Sequence, residues 1–334
     1  MSSPAPPPSA SQGPRLVHIV DEVPELAEVD DLSMIVVLEG FLDAGSAGAI
    51  GARHLVRAGA SSTEGGGVVV ATFDVDQLHD YRARRPPLTF ARDHYEGYEA
   101  PRLVVRLLHD QGHTPFLLLH GPEPDIRWEA FCRAVHEVVQ RFGVRRVVSI
   151  GSVPMAVPHT RPIAITHHAN NPELLTGTSP WRGELRVPSS AQALLELRLG
   201  EWGHDAQGFV AHVPHYLAQL EYPRAAHSLL EHVELAARLT VDLTEVVTQA
   251  EEREVEISRY LAANEEVADV VTALEQQYDT FARAEAEGSS LLAEDEPLPT
   301  GEEIGQQFEQ FLAGLEGPDD GAGPTAPEQP GGPR

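Results

Sequence analysis

"PFLLLHGPEPDIRWEAFCRAVHEVVQRFGVRRVVSIG", from Pro115 to Gly151, reads in turn as a strand, a helix and a strand. Both ends, 115–121 and 144–151, are short apolar runs without polar alternation, the pattern of strands buried on both faces. Between them, Trp128, Phe131, Cys132, Val135, Val139 and Phe142 fall on one face of a helix, with Asp125 placed as its N-cap. A strand that needs cover on both faces, followed at once by an amphipathic helix, implies a sheet layered with helices. "MIVVLEG" (34–40), "GVVVATF" (67–73) and "RLVVRLLH" (102–109) repeat the strand pattern. Residues 15–238 are therefore expected to form one α/β domain, a mostly parallel sheet sandwiched by helices.

The flanks differ. Residues 1–14 are rich in Pro, Ser and Ala and are expected to be disordered, with no basic start and apolar run of a signal peptide. Over 239–287, Asp242 with Glu245 matches a capping box ahead of an apolar stripe. Asn264 then stands before a second stripe of Val267, Val270, Val271, Leu274, Tyr278 and Phe281. The pattern predicts an antiparallel helical hairpin packed on or beside the α/β domain. Residues 288–334 are acidic and turn-rich, as in a disordered tail, apart from Ile304, Phe308, Phe311 and Leu315 at the spacing of one short helix face.

Charge narrows the partners. The 24 basic residues are all arginine and oppose 51 acidic ones, a net charge of −27. Phosphate backbones and anionic membrane surfaces both demand a positive footprint, so neither nucleic acid nor membrane is expected as a partner. Apolar runs are of strand length, far short of the roughly 20 residues of a membrane span. A cytoplasmic protein is expected.

Sixteen histidines and one cysteine show no zinc spacing, and no metal or cofactor is expected. His167 and His168 in "THH" point to opposite faces of a strand, and Cys132 belongs to the apolar face of its helix. "EGFLDAGSAGAIGARHL" sets Gly45 and Gly48 between a strand and a helix. Amides there are able to bind an anion, although close helix–sheet packing accounts for the same glycines. Glu123, braced between two prolines, and Asp125 follow a strand end, where open α/β sheets bind ligands.

The tripeptide Val-Pro-His occurs twice, ending at His159 and at His215. Each copy follows a probable strand and leads into polar residues, Arg161 in one case and Tyr216 in the other. If both strands exit on one edge, His159, Arg161, His215 and Tyr216 share a crevice with Glu123 at its rim. No serine or cysteine nucleophile accompanies them; an anion-binding or acid–base site needs none. The bland reading is two bends whose histidines bond the backbone.

The stretches "FDVDQLHDYRARRPPL", "LLLHGPEPDIRWEAF", "VPMAVPHTRP", "VPHYLAQLEYPRAAHSLL" and "VVTALEQQYD" together resemble the proteasome assembly chaperone family, in its bacterial branch related to the second eukaryotic chaperone. The resemblance spans about residues 16–285 in matching order. It implies a phosphorylase/hydrolase-like α/β fold, a homotrimer, and action on proteasome-related or other protein subunits. Members that dock on proteasome rings end in a hydrophobic–tyrosine–any-residue motif, where this sequence ends Gly-Gly-Pro-Arg. Two functions follow: a chaperone-like binding protein without catalysis, or a small-anion or nucleoside-like ligand binder, hydrolase or phosphorylase of the same fold.

Overall fold

In the computed structural model, residues 15–40, 42–59, 67–175 and 184–286 are described. The two terminal segments, including the stripe at 304–315, lie outside them. Of the described residues, 15–40, 42–59, 67–175 and 189–283 belong to one compact unit, and 184–188, exposed and irregular, to a second with 284–286.

Among the described residues the elements run in the order β1 (Val17–Ile19), β2 (Ser33–Glu39), α1 (Ala47–Gly59), β3 (Val68–Phe73), β4 (Leu88–Ala91), β5 (His94–Tyr98), β6 (Val104–His109), β7 (Pro115–Pro122), α2 (Trp128–Phe142), β8 (Arg146–Met155), β9 (Ile165–Ala169), α3 (Ala191–Glu201), β10 (Asp205–Pro214), α4 (Pro223–Ala237), α5 (Thr244–Ala263) and α6 (Glu265–Ala286). Eight strands make one sheet in the order β1-β3-β6-β7-β2-β8-β10-β9, and β4 and β5 pair apart from it. The central run β7-β2-β8-β10 is parallel. Its flanks are antiparallel. Only five residues separate His109 from Pro115, too few for a crossover of a dozen or more, so β6 and β7 must run antiparallel.

The unbroken apolar runs are explained by two cores. In β2, Met34, Val36 and Leu38 pack toward α2 and α3, while Ile35 and Val37 pack toward α1 and α4. Cys132 is fully buried within α2, and burial pushes its thiol up to about 12, which keeps it inert.

Three expected caps prove different. The N-cap of α2 is Arg127 in the left-handed region (φ 60°), and Asp125 is engaged elsewhere. Asp242, two residues before the helix and one before its N-cap Leu243, accepts the Thr244 N–H at 3.0 Å, while Glu245 turns away to Arg57 on α1. Asn264 bonds back to the Tyr260 carbonyl at 2.7 Å, closing α5 instead of opening α6. The apolar face of α5 lies on the body: Val246 and Ile257 join the core formed with α1 and α4.

Candidate functional site

β8 and β10 pair in parallel, with Met155 opposite Pro214, so both Val-Pro-His segments leave the sheet at the same edge. The repeats are out of step, since Pro214 ends its strand while Pro158 lies beyond the end of β8. Their histidines therefore occupy different surroundings.

Tyr216 joins them. Its hydroxyl accepts the His159 backbone N–H at 2.9 Å and stands 2.7 Å from His159 Nδ1. An oxygen already accepting from an amide still has its own hydrogen to give, which a neutral His159 with the proton on Nε2 accepts at Nδ1. His159 is 3% exposed, and burial lowers its pKa, in keeping with a neutral ring. Burial likewise pushes the Tyr216 phenol up to about 12. The His215 ring meets the same tyrosine edge-on at 5.5 Å, and its Nδ1 is buried with no hydrogen-bond partner. The Tyr222 hydroxyl nearby is buried and equally without one. Burial pushes that phenol up, opposed weakly by Arg224, which does not reach hydrogen-bonding geometry with it.

Arg161 belongs to the same loop but is engaged by the chain's own carboxylates. Its guanidinium grips Asp279 of α6 in a two-pronged pair at 2.8 and 2.7 Å, with Glu275 at 3.5 Å. The Thr160 hydroxyl also bonds Glu275. Arg224 of α4 donates to the carbonyls of His159 (2.6 Å) and Arg161 (3.3 Å) and pairs with Glu254 of α5 at 3.2 Å. The loop is thus fastened to α4, α5 and α6. Arg161, expected as the free cation for a ligand, is already neutralised by the chain's own carboxylates.

The rim residues are separate. Glu123 is buried at the end of β7, and its Oε1 accepts the Ala191 N–H at the start of α3 (2.6 Å). It serves as that helix's anionic cap, alongside Ser190. A Cβ on Gly40 would sit 2.6 Å from Glu123 Oε2, so glycine there leaves room for the carboxylate. Asp125 receives the Asp80 N–H (2.9 Å) and Arg84 (3.1 Å) and lies 3.5 Å from His79.

The glycine loop is filled from within. Asp43 accepts the N–H groups of Gly48 (2.7 Å) and Ala49 (3.0 Å) and the Ser152 hydroxyl (2.9 Å), taking the place an external anion would occupy. Gly45 has φ +68°, exchanges backbone bonds with Ala218 and Tyr222, and would drive a Cβ to 2.8 Å from that of Tyr222. Its need for glycine is backbone geometry.

Among the described residues, no group of three or more His, Cys, Asp or Glu is placed to hold a metal. His167 packs on Phe209 while His168 pairs with Glu196 of α3, on opposite faces as the strand period requires. No described helix is long and apolar enough to cross a membrane.

The description of the PAC2 family matches residues 37–261, more than half of the chain. The chain belongs to the PAC2 family. This family membership bears out the resemblance carried by the quoted motifs. Among solved structures, a protein of unknown function from Mycobacterium tuberculosis, Rv2714, is 44% identical at a TM-score of 0.76, covering 81% of this chain and 93% of its own. One from Corynebacterium glutamicum is 33% identical (TM-score 0.73; 80% and 98% covered). The M. tuberculosis proteasome-assembly chaperone homologue Rv2125 is 26% identical (TM-score 0.64; 72% and 100% covered). A search of curated proteins finds no match.

The PAC2-family motifs fall where the fold is tied together. Sequence reasoning missed Arg224, Glu254 and Asp43, each of which acts across 30 or more residues or inside a turn. Arg224 stands within the quoted stretch 213–230, two residues after Tyr222, and Asp43 within the glycine-rich stretch 39–55.

Proposed function

We propose that this PAC2-family protein is a chaperone-like binding protein that acts through contacts with other chains, as a closed homotrimer, without chemistry of its own. The observation that carries this reading is the β4–β5 ribbon. It pairs with no other strand and exposes Leu88 (50%), Phe90 (59%), Tyr95 (70%) and Tyr98 (55%). A two-stranded ribbon is marginally stable alone in water, and aromatic residues are enriched at interfaces. A second copy of the chain covering these side chains resolves both difficulties, and closed symmetry ends the assembly. Kinship with a proteasome-assembly chaperone homologue supports protein subunits as further partners, in the cytoplasm.

Light scattering at micromolar concentration is expected to give three times the protomer mass, and Phe90→Ser with Tyr95→Ser to give one. A wild-type monomer refutes the assembly.

A rival reading rests on one observation, the buried and unpartnered His215 Nδ1 and Tyr222 hydroxyl. Two orphan polar atoms beside His159 and Tyr216 suit a small polar ligand such as a nucleoside. Native mass spectrometry of the purified protein decides: a stoichiometric small molecule favours the rival, and co-purified protein subunits favour the first.

A further inference from the structure

β1 is the terminal strand of the eight, with one side bonded to β3. The Val20 N–H donates to Val70 and the Leu16 carbonyl accepts from Asp74, so even-numbered residues face β3. By alternation, Val17 and Ile19 turn their N–H and C=O groups to the edge that no other described strand covers. Neither lysine nor proline blunts residues 16–20, although natural edge strands are usually protected in such ways.

Beside this edge, a groove of about 610 Å³ separates β1 from α2. Ala130 and Ala134 line its helical wall, and their small side chains leave the space that larger residues would fill. Arg15, Arg133 and Arg141 surround it, against Asp21 and Glu137. Three cations against two anions make a locally positive patch on a chain of net charge −27. Arg141 bonds the Asp21 carbonyl, which joins the end of β1 to the end of α2 and closes the groove there.

We propose that this groove takes up an extended acidic peptide segment as a ninth strand. Main-chain bonds from Val17 and Ile19 supply the pairing, alternate apolar side chains enter between Leu16, Val20 and Ala134, and intervening carboxylates meet Arg133 and Arg141. An edge strand beside a helix is a general route for adding a peptide strand, with affinity from the backbone and selectivity from alternate side chains. β1 with Leu16 and Val20, which continue its bonding to β3, makes five residues spanning about 17 Å, enough for a segment of five or six. This surface is distinct from the β4–β5 ribbon, and the inference does not rest on the trimer.

The test is fluorescence anisotropy of the full chain with a labelled, acetylated hexapeptide of alternating glutamate and valine. Saturable binding is expected, weakened by salt, and absent for the lysine–valine counterpart. Arg133→Glu with Arg141→Glu, both exposed, is expected to weaken it at least about tenfold while the melting temperature is retained. Ile19→Pro, which removes an outward N–H, is expected to weaken it without altering the salt dependence. Failure to saturate by about 1 mM peptide, or equal binding by the charge-reversed variant, overturns the proposal. So does a drop in oligomer mass in that variant without peptide binding, which makes a second copy the occupant.

Discussion

Replacing Tyr216 with phenylalanine removes one oxygen atom and strands two groups of His159, its backbone N–H and its Nδ1. Both lie inside a site where His159 is 3% exposed, so water does not readily replace the lost hydroxyl. A buried polar group left unsatisfied costs about 1–3 kcal/mol, and a typical hydrogen bond contributes about 1 kcal/mol. The amide and the imidazole nitrogen both lose the partner that the hydroxyl supplied. Together they give about 2–4 kcal/mol of destabilisation. The control is Tyr222→Phe, the same atomic deletion at a buried hydroxyl that has no hydrogen-bond partner. Its expected cost is below about 0.5 kcal/mol, or a small gain, because no bond is lost and one desolvated polar atom disappears. Urea unfolding of the two variants at neutral pH is the assay, with midpoints compared at an unchanged slope. Equal shifts in both refute the reasoning. A Tyr216→Phe cost below about 0.5 kcal/mol shows that the hydroxyl does not hold the loop.

Arg161→Ala is expected to speed amide exchange along α6 while leaving global stability nearly unchanged, since Asp279 is half exposed and such pairs contribute little; unaltered exchange means that α6 is held by other contacts. Stability is expected to fall from pH 6.5 toward pH 4. Burial and then Arg106 depress His120 to about 4 in the folded state, and burial lowers His79, His159 and His212. The unfolded chain takes up these protons near 6.5, so the contribution is complete above that value and is lost as pH drops through the window. For His120 alone the loss reaches about 3 kcal/mol at most, and a flat urea midpoint between pH 7.5 and 5 refutes it.

The buried strands were legible because burial on both faces writes itself as an unbroken apolar run, as in β2 and β7. The helix α2 was legible for the same reason, through one apolar face. The parallel centre was inferred correctly from the strand–helix–strand alternation. The antiparallel flank was also available, in the five-residue spacing between β6 and β7, a constraint stricter than composition. The β4–β5 ribbon escaped because its side chains are nearly all exposed, so its apolar residues mark an unfilled face and imitate a loop. Caps were read least well. Asp125 has the chemistry of an N-cap, yet Arg84 and the Asp80 amide compete for it from 41 and 45 residues away. Such competition exists only once the chain has folded. The same holds for Glu123, whose partner Ala191 lies 68 residues downstream.

The two Val-Pro-His segments were expected either to share a crevice or to be unrelated bends, and the geometry takes something from each. His159 and His215 do converge, on opposite relations to one tyrosine: the first by hydrogen bonds, the second by its ring edge alone. Their prolines do different work, because Pro214 closes β10 in register with Met155 whereas Pro158 lies in the loop beyond β8. The residue expected to anchor an anion, Arg161, cannot do so while Asp279 and Glu275 neutralise it. A ligand's carboxylate would have to displace a two-pronged internal pair, and a partner chain faces the same competition. The free polar capacity of this region therefore lies in His215 Nδ1 and the Tyr222 hydroxyl, buried and without a partner among the described residues. On the rival reading, a ligand here is selected by hydrogen bonds to these two atoms and not by Arg161, which favours a donor–acceptor group such as an amide or a sugar hydroxyl over the anion that the glycine loop suggested.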